Sequence, residues 1–275
     1  MTVDADFVDV VTAIVRDVAE TVIMPRFGDL SSDEIAEKSS KADLVTAVDI
    51  AAERALREAL REVDPDAGFV GEEAAAADPS ITGALGGPGR FWIVDPIDGT
   101  RNFVRGEPEF GVIVALVTDG VAQAGWIHAA PDATTYAAAR RMGAWSLDRS
   151  GRRAALDVAP QADDRPTGLR SLGWLPEAEA ELYRARLKEV ANCSPSSCSA
   201  YAYIRLATGA VDFKISSRIH AWDHVAGALM VEELGGEARY LDNDAPFAPA
   251  DSADRPLLAV APGRSWRDVA GLVRG

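Results

Sequence analysis

Two aspartates that could bind a metal ion follow an apolar stretch in the first half of the chain. Residues 91–94 are Phe-Trp-Ile-Val, the pattern of a buried strand; Asp95 comes directly after it, with Asp98 three residues further on. In α/β proteins, ligand-binding groups commonly lie at the carboxyl ends of strands. Two neighbouring carboxylates repel each other, and a hard divalent cation relieves that repulsion. The spacing therefore indicates a metal site, while a Pro-Gly turn with capping aspartates explains the same residues equally simply.

The residues after Asp98 could hold a phosphate group. Gly99 permits a tight turn, and Thr100 places a hydroxyl where a helix can begin. Backbone N–H groups at such a turn point toward an anion and favour phosphate binding. The segment thus combines carboxylates for a cation with N–H donors for an anion.

Three further carboxylates stand out, and each also has a purely structural explanation. Glu72 lies in a Gly-Glu-Glu triplet, where a pair of glutamates is usually a solvated corner. Asp49 follows Thr46 by three residues, which is the spacing of a helix capping box. Asp223 precedes the predicted helix 224–234 and fits an N-cap, although a capping aspartate can still turn one oxygen toward a metal.

The histidines and cysteines give little evidence of a zinc site or a disulfide. His220 and His224 are four residues apart but lack the glutamate and the third ligand of the HExxH pattern. Cys193 and Cys198 are the chain's two cysteines, too few for a disulfide framework in 275 residues. We therefore expect two reduced thiols in a cytoplasmic protein.

The charge balance restricts the partners that the chain can bind. Lys and Arg number 28 against 43 Asp and Glu, a net charge of −15. Such an acidic surface repels nucleic-acid backbones and anionic lipid headgroups, so we expect neither partner. It also repels a phosphorylated metabolite unless metal ions reverse the local field. The sequence contains no apolar run of the roughly 18 residues needed to span a membrane, and its acidic start is unlike a signal peptide.

Apolar patterns predict a layered α/β protein. Two amphipathic helices precede a region of strands and turns, and strands alternate with helices in the second half. The predicted helices cover residues 7–22, 52–63, 178–190, 200–207, 224–234 and 266–273; the predicted strands cover 69–70, 91–94, 112–117, 121–129, 134–138, 145–147, 169–172, 211–215 and 257–261. A loop is predicted at 82–89, and the polar run 161–167 is the predicted boundary between the halves 1–160 and 161–275.

Four motifs, taken together, resemble the inositol monophosphatase family. They are the run from Lys38 to Asp49, the Gly-Glu-Glu of 71–73, the Trp-x-Val-Asp-Pro-Ile-Asp-Gly-Thr-x-Asn-Phe of 92–103, and the Trp-Asp-x-x-Ala-Gly…Glu-x-Gly-Gly of 222–236. Their order and spacing follow the family over about residues 7–261. The 92–103 motif is the most specific of the four.

The resemblance implies a five-layer αβαβα sandwich that hydrolyses phosphate monoesters with two to three Mg²⁺ ions. Glu72, Asp95 and the main-chain carbonyl of Ile97 would hold one ion. Asp95, Asp98 and Asp223 would hold a second, and a third would use Glu72 and water. The family is commonly homodimeric, and its substrates are small phosphorylated metabolites.

The resemblance also assigns catalytic and substrate-binding roles. Asp49 and Thr100 would orient the attacking water, and Glu72 would also act in catalysis. Lys38 matches a family lysine near the metals. The implied substrate contacts are Asp98, Gly99, Thr100, Ser199, Ser216 and Asp223, with Gly99 and Thr100 binding phosphate through their backbone amides.

Two departures from the family pattern put inositol monophosphate in doubt as the substrate. The family usually has Gly-[Ser/Thr]-Ala-Ala where this chain has Ser-Cys-Ser-Ala at 197–200. The inositol enzymes have a glutamate, which accepts hydrogen bonds from ring hydroxyls, where this chain has Ser216, with Arg218 nearby. We therefore expect the substrate pocket of this chain to tolerate an anionic group better than the pocket of the inositol enzymes does. Histidinol phosphate, fructose 1,6-bisphosphate, 3′-phosphoadenosine 5′-phosphate and NADP therefore remain alternatives.

Two rival functions fit the motifs less well. The haloacid-dehalogenase phosphatases use an Asp-x-Asp-Gly-Thr nucleophile motif, whereas two residues separate Asp95 from Asp98. A non-catalytic calcium-binding or regulatory module would require the EF-hand pattern, which is missing around Asp95, or the loss of a carboxylate, and all the expected carboxylates are present. We therefore expect a phosphatase.

Overall fold

The computed structural model describes residues 2–30, 35–40, 43–158, 165–251 and 255–275. The α-helices of this part of the chain are α1 (Ala5–Val18), α2 (Ala47–Val63), α3 (Glu72–Ala77), α4 (Thr100–Arg105), α5 (Glu177–Val190), α6 (Ser199–Ala207), α7 (Ala221–Glu233) and α8 (Trp266–Arg274). The strands are β1 (Ile35–Ser40), β2 (Asp43–Thr46), β3 (Gly68–Gly71), β4 (Arg90–Asp98), β5 (Gly111–Thr118), β6 (Val121–Ala129), β7 (Thr134–Ala139), β8 (Gly143–Leu147), β9 (Arg153–Ala155), β10 (Thr167–Ser171), β11 (Asn192–Pro195), β12 (Phe213–Ser216), β13 (Glu237–Tyr240) and β14 (Leu257–Val260).

The described strands form two large sheets and one hairpin. The larger sheet has the order β3-β4-β5-β6-β7-β8-β9 and is antiparallel except for the parallel pair β3–β4. The smaller sheet has the order β11-β10-β12-β14-β13, with β10 parallel to both of its neighbours. Strands β1 and β2 form the hairpin. The predicted contrast between an antiparallel first half and an alternating second half is confirmed.

Three apolar clusters hold five layers together. The first cluster joins α1 and α2 to one face of the larger sheet and includes Leu56 and Trp92. The second includes Met230 and fills the space between the two sheets, where α6 and α7 lie. The third joins the outer face of the smaller sheet to α5 and α8 and includes Phe213 and Trp266. The order of layers is therefore αβαβα, which confirms the predicted fold class.

Strand β4 lies between two helical layers, and its sequence explains why. Trp92 and Val94 point to the cluster with α1 and α2, while Ile93 points to the cluster with α6 and α7. Successive side chains of a strand alternate between faces, so a strand covered on both sides needs a continuous apolar run. The same run carries Asp95 into the interior.

The structure adds several elements that the apolar patterns did not predict. The hairpin β1–β2 and the strands β9 and β11 are short and have no regular apolar alternation, so backbone pairing rather than an apolar period defines them. The predicted loop at 82–89 overlaps a 3₁₀ helix, Pro79–Gly86. After α1, which ends at Val18 rather than at the predicted residue 22, the chain continues through a π-helical turn, Ala19–Ile23, and a 3₁₀ turn, Met24–Arg26.

Helix α7 begins earlier than predicted. It starts at Ala221 with His220 as the N-cap, so Asp223 lies in the first turn of the helix and is not its capping residue. The simple structural explanation of Asp223 is therefore wrong, and its carboxylate is available for another role.

The predicted boundary at 161–167 lies largely outside the described residues. Residues 159–164 are not among the described residues, while the larger sheet ends at Ala155 and the smaller sheet begins at Thr167. The division into 1–160 and 161–275 stays a prediction. Within the described part of the chain, none of the helices has the length and apolar character needed to cross a membrane.

The close packing of α6 against α7 gives a stability prediction. A Cβ added to Gly227 would lie 2.1 Å from Cγ of the buried Tyr203 ring, whose hydroxyl is held by His224 Nδ1 at 2.9 Å. Because the ring is fixed at both ends, Gly227→Ala should lower the free energy of unfolding by roughly 1–3 kcal/mol. Urea denaturation followed by circular dichroism measures the change.

Gly271→Ala is the matched control, since Gly271 also lies in a helix but has nothing within 4 Å of the added Cβ. It should be neutral or should stabilise the protein by up to about 1 kcal/mol, because alanine favours helices over glycine. Equal unfolding free energies for the two variants would contradict the packing explanation.

Candidate functional site

The predicted site residues meet in one cavity of about 480 Å³. Its floor is formed where β3 and β4 end, and its walls come from the start of α6, the end of β12 and the start of α7. The predicted residues that line it are Glu72, Asp95, Ile97, Asp98, Gly99, Thr100, Ser199, Ser216 and Asp223. Asp49 is fully buried behind Thr100, and the side chain of Lys38 lies outside what the structure describes.

A bulge in β4 turns two aspartates toward the same side. Asp95 pairs with Ile113 of β5 and Asp98 pairs with Gly111, so three steps along β4 correspond to two along β5. Residues three apart in a regular strand point to opposite faces, and one extra residue corrects this. Pro96, which has no N–H to donate, lies within the bulge, where proline is tolerated.

Asp95, Asp98 and Asp223 form a compact acidic cluster. Each offers one carboxylate oxygen, and these oxygens all lie within 4.8 Å of one another. Asp95 and Asp98 are 2% and 8% exposed, and Oδ1 of Asp95 is buried without a hydrogen-bond partner among the described residues. Glu72 lies at the end of β3 beside Asp95. Carboxylate oxygens at this spacing are the donor set that a hard divalent cation prefers.

Burial and like charge raise the pKa values of the cluster. The pKa of Asp95 is raised well above its ordinary value by burial and then by the carboxylates of Glu72 and Asp98. The pKa of Asp223 is raised to about 8, first by burial and then by Asp98 and Glu72, against the opposing charge of Lys214. Without a bound cation the cluster therefore retains protons near neutral pH, and a cation would displace them.

Asp98 is held in place by the start of α6. Its Oδ2 accepts a hydrogen bond from the backbone N–H of Ala200 at 2.5 Å and from the Cys198 thiol at 2.9 Å. These bonds oppose the effect of burial, which is the main cause of the raised pKa of Asp98. Burial also raises the pKa of the Cys198 thiol, so it remains a neutral donor.

Thr100 and Asp49 form a second polar unit next to the cluster. The Thr100 hydroxyl lies 3.2 Å from Asp49 Oδ1 and 2.9 Å from the carbonyl oxygen of Ile97, and its single proton can go to only one of them. The other oxygen of Asp49 accepts from the backbone N–H of Thr46 at 2.9 Å and from its hydroxyl at 2.5 Å. The predicted capping box is confirmed, and it fixes the Asp49 carboxylate.

Gly99 shapes the turn between the two units. Its φ of +88° lies in the left-handed region, and an added Cβ would meet the carbonyl oxygen of Glu109 at 2.9 Å. Only glycine adopts this backbone there without strain. The turn leads directly into α4, where Thr100 is the first residue.

The opposite wall carries the positive charges of Lys214 and Arg218, of which sequence reasoning anticipated Arg218 and missed Lys214. Lys214 and Ser216 lie on the same face of β12, both buried, and both line the cavity. Arg218 stacks on the ring of Trp174 at 4.0 Å and donates from Nε to His220 Nε2 at 2.7 Å. The alternation Phe-Lys-Ile-Ser at 213–216 is the one sequence signal that could have revealed Lys214.

The acidic cluster predicts how the stability of the metal-free protein depends on pH. The folded-state pKa of Asp223, about 8, exceeds its ordinary value of 3.8, so the proton favours the folded state. This contribution is complete below about pH 4 and is lost as the pH rises toward 8. In excess EDTA, thermal unfolding should therefore give a Tm at least about 2 °C lower at pH 8 than at pH 5.

Asp95→Asn should reduce this pH dependence, because it removes a carboxyl group whose own pKa is raised well above its ordinary value by burial and by the neighbouring carboxylates. Asp66→Asn provides the control, since Asp66 is exposed in a turn. This substitution changes the net charge by the same amount as Asp95→Asn. The same pH dependence in both variants would show that general charge repulsion, rather than the cluster, destabilises the protein.

Comparison with known proteins agrees with this geometry. A model of the inositol monophosphatase family matches residues 4–270. The inositol-1-monophosphatase SuhB of Mycobacterium tuberculosis is 31% identical over 261 residues, which cover 93% of this chain and 87% of that protein. The histidinol-phosphatase of the same organism is 34% identical over 250 residues, covering 88% of this chain and 91% of that protein.

The fold comparison gives the same result. The solved structure of an IMPase from Thermotoga maritima superposes with a TM-score of 0.78 at 25% sequence identity, covering 98% of this chain and 97% of that one. The resemblance carried by the four motifs is confirmed. The chain belongs to the inositol monophosphatase family and is a phosphatase that acts on phosphoric monoesters.

Proposed function

We propose that this phosphatase hydrolyses a small phosphorylated metabolite with Mg²⁺ bound to the acidic cluster. The convergence of the Asp95, Asp98 and Asp223 carboxylates within 4.8 Å of one another carries the proposal. The unpartnered Oδ1 of Asp95 supports it, since a buried carboxylate oxygen requires a hydrogen bond or a cation.

The family resemblance supports two cation positions, for which these residues would supply oxygen ligands. Glu72, Asp95 and the carbonyl oxygen of Ile97 would hold one, and Asp95, Asp98 and Asp223 would hold the other. A third would use Glu72 and water. Bound there, Mg²⁺ supplies the positive charge that lets a phosphate dianion be attacked by water and stabilises the leaving oxygen.

Thr100 and Asp49 are proposed to orient the attacking water. When the Thr100 proton goes to Asp49 Oδ1 at 3.2 Å, the hydroxyl oxygen presents its lone pairs toward the cavity and can accept a hydrogen bond from water. The capping box keeps Asp49 from rotating. Glu72, at the edge of the cluster, would complete the catalytic set.

The turn at Gly99 and Thr100 is proposed to receive the phosphate, and the smaller-sheet side to receive the alcohol. Ser199 and Ser216 both line the cavity there, with Asp98 and Asp223 at its base. Ser216 stands where the inositol enzymes have a glutamate that accepts from ring hydroxyls, so we propose a substrate other than inositol monophosphate. The similarity to a histidinol-phosphatase supports a wider range of candidates. A homodimer in the cytoplasm stays a prediction.

Removing the metal or one of its proposed ligands should abolish turnover. Asp95 contributes to both proposed metal positions, so Asp95→Asn should lower kcat by about 10³-fold or more, as should excess EDTA. Release of inorganic phosphate from inositol 1-phosphate, histidinol phosphate, fructose 1,6-bisphosphate, adenosine 3′,5′-bisphosphate and NADP, with and without Mg²⁺, measures this.

Asp66→Asn again serves as the control and should leave turnover unchanged, since its side chain is exposed and remote from the cavity. Circular dichroism of Asp95→Asn should show an intact fold. Turnover that persists in EDTA, or in a folded Asp95→Asn protein, would refute the metal-dependent mechanism.

The Thr100 hydroxyl should affect kcat more than KM. Thr100→Val keeps the shape of the side chain but removes the group proposed to orient water, so kcat should fall about 10²-fold. Thr100→Ser retains the hydroxyl and should stay within about tenfold of the unchanged enzyme. Steady-state kinetics on the preferred ester test this, and a loss in Thr100→Ser as large as or larger than that in Thr100→Val would contradict the assigned role of the hydroxyl.

A further inference from the structure

Lys214 is a buried cation with no ion-pair partner in contact among the described residues, and the carboxylates of Asp223 and Asp98 act on it only from longer range. Its side chain lies on β12 with the residue only 3% exposed, and it forms no salt bridge with any described residue. Its ammonium group lies 3.4 Å from Ser199 Oγ, 3.5 Å from His224 Nδ1 and 4.0 Å from the centre of the Tyr203 ring. A buried charge is costly unless it is paired, so this arrangement calls for an anion.

The neighbouring histidine does not satisfy Lys214. His224 Nε2 lies 3.1 Å from the carbonyl oxygen of Arg218 and must donate to it, which leaves Nδ1 as the acceptor. The Tyr203 hydroxyl donates to Nδ1 at the shorter distance of 2.9 Å. Of the three ammonium protons of Lys214, one reaches Ser199 and one faces the Tyr203 ring, so at least one donor remains for a ligand.

Ser216 provides an independent observation on the same wall. It lies two residues further along β12, hence on the same face as Lys214, and it lines the cavity. Its hydroxyl is buried and has no hydrogen-bond partner among the described residues. A lysine and a serine, both under-satisfied and about 6–7 Å apart along one strand, form a row of donors.

The charge on this wall is opposite to that of the chain as a whole. The chain carries a net charge of −15, yet the cavity residues contributed by β10, β12 and the segment after β12 include Arg170, Lys214 and Arg218 and no carboxylate before Asp223. In the proposed function the carboxylates of Asp98 and Asp223 are committed to Mg²⁺. Their charge is then neutralised, and Lys214 must find its counter-ion in the substrate.

We propose that Lys214, with Ser199 and Ser216, binds a second acidic group of the substrate, a carboxylate or a second phosphate carried by the alcohol that leaves. This inference rests on the proposed function for the identity of the scissile phosphate. It makes Lys214 a residue that determines specificity, and it explains why a donor stands where the inositol enzymes have an acceptor. The preferred substrate is a phosphate monoester of an acidic alcohol.

Matched pairs of esters test the second acidic group. 3-Phosphoglycerate and glycerol 3-phosphate differ by a carboxylate in place of a hydroxymethyl group; fructose 1,6-bisphosphate and fructose 1-phosphate differ by a second phosphate. For at least one pair, kcat/KM of the acidic ester should exceed that of its partner about tenfold or more, and Lys214→Met should reduce that ratio about tenfold. The pair that responds identifies which acid is bound.

Further variants separate a local effect from a change in net charge. Lys188→Met removes one positive charge from an exposed site on α5 and should leave the ratio unchanged. Ser216→Ala should lower the ratio about threefold. Ser216→Glu, which adds a carboxylate to the wall, should lower it at least as much as Lys214→Met.

A binding measurement provides a readout that does not depend on turnover. In the Mg²⁺-loaded Thr100→Val background, calorimetric titration should give a Kd for 3-phosphoglycerate or fructose 1,6-bisphosphate about tenfold tighter than for its matched partner, and Lys214→Met should remove the difference. Equal affinities for the two members of both pairs would overturn the proposal. So would an equal loss of affinity for both members in Lys214→Met, because it would place Lys214 on the scissile phosphate. Failure of the proposed function looks different: no Mg²⁺-dependent phosphate release from any ester.

Discussion

Mutual repulsion among buried carboxylates is the constraint on which the rest of the site depends. Burial raises the pKa values of Asp95, Asp98 and Asp223, and neighbouring carboxylates raise those of Asp95 and Asp223 further, so bringing the three together costs free energy. Three apolar clusters hold the backbones in place. The bulge in β4 and the donors at the start of α6 then set the direction of each carboxylate. The fold thus holds these carboxylates close together, and a divalent cation bound there would relieve their repulsion.

The two sheets supply different residues of the site. The larger sheet delivers Asp95 and Asp98 from β4, and the adjacent α2 delivers Asp49. The smaller sheet delivers Lys214 and Ser216 from β12. Because α6 and α7 lie between the sheets, their first turns meet both sets of residues. A phosphate ester in the cavity would therefore contact acids on one side and donors on the other.

Local spacing was enough to predict the parts of the site that are local in the chain. The capping box of Thr46 and Asp49 and the strand that carries Asp95 depend on residues a few positions apart. The place of Asp223 is harder to predict from local spacing, because it depends on where α7 starts. His220 rather than Asp223 caps that helix. The alternation at 213–216 could place Lys214 on one face of a strand, but its contacts arise only when β12 packs beside α6 and α7.

The same difference between local and non-local residues explains why the reaction is easier to predict from sequence than the substrate. The carboxylates that would hold metal are set by short motifs, so sequence alone indicates the hydrolytic chemistry. The proposed recognition of the alcohol would involve cavity residues spread over β10, α6 and β12, which form a charge pattern rather than a sequence motif. In the proposal, Ser216 beside Lys214 gives that wall donors that would suit an acidic group rather than a polyol. Specificity in this chain is therefore a property of the assembled cavity.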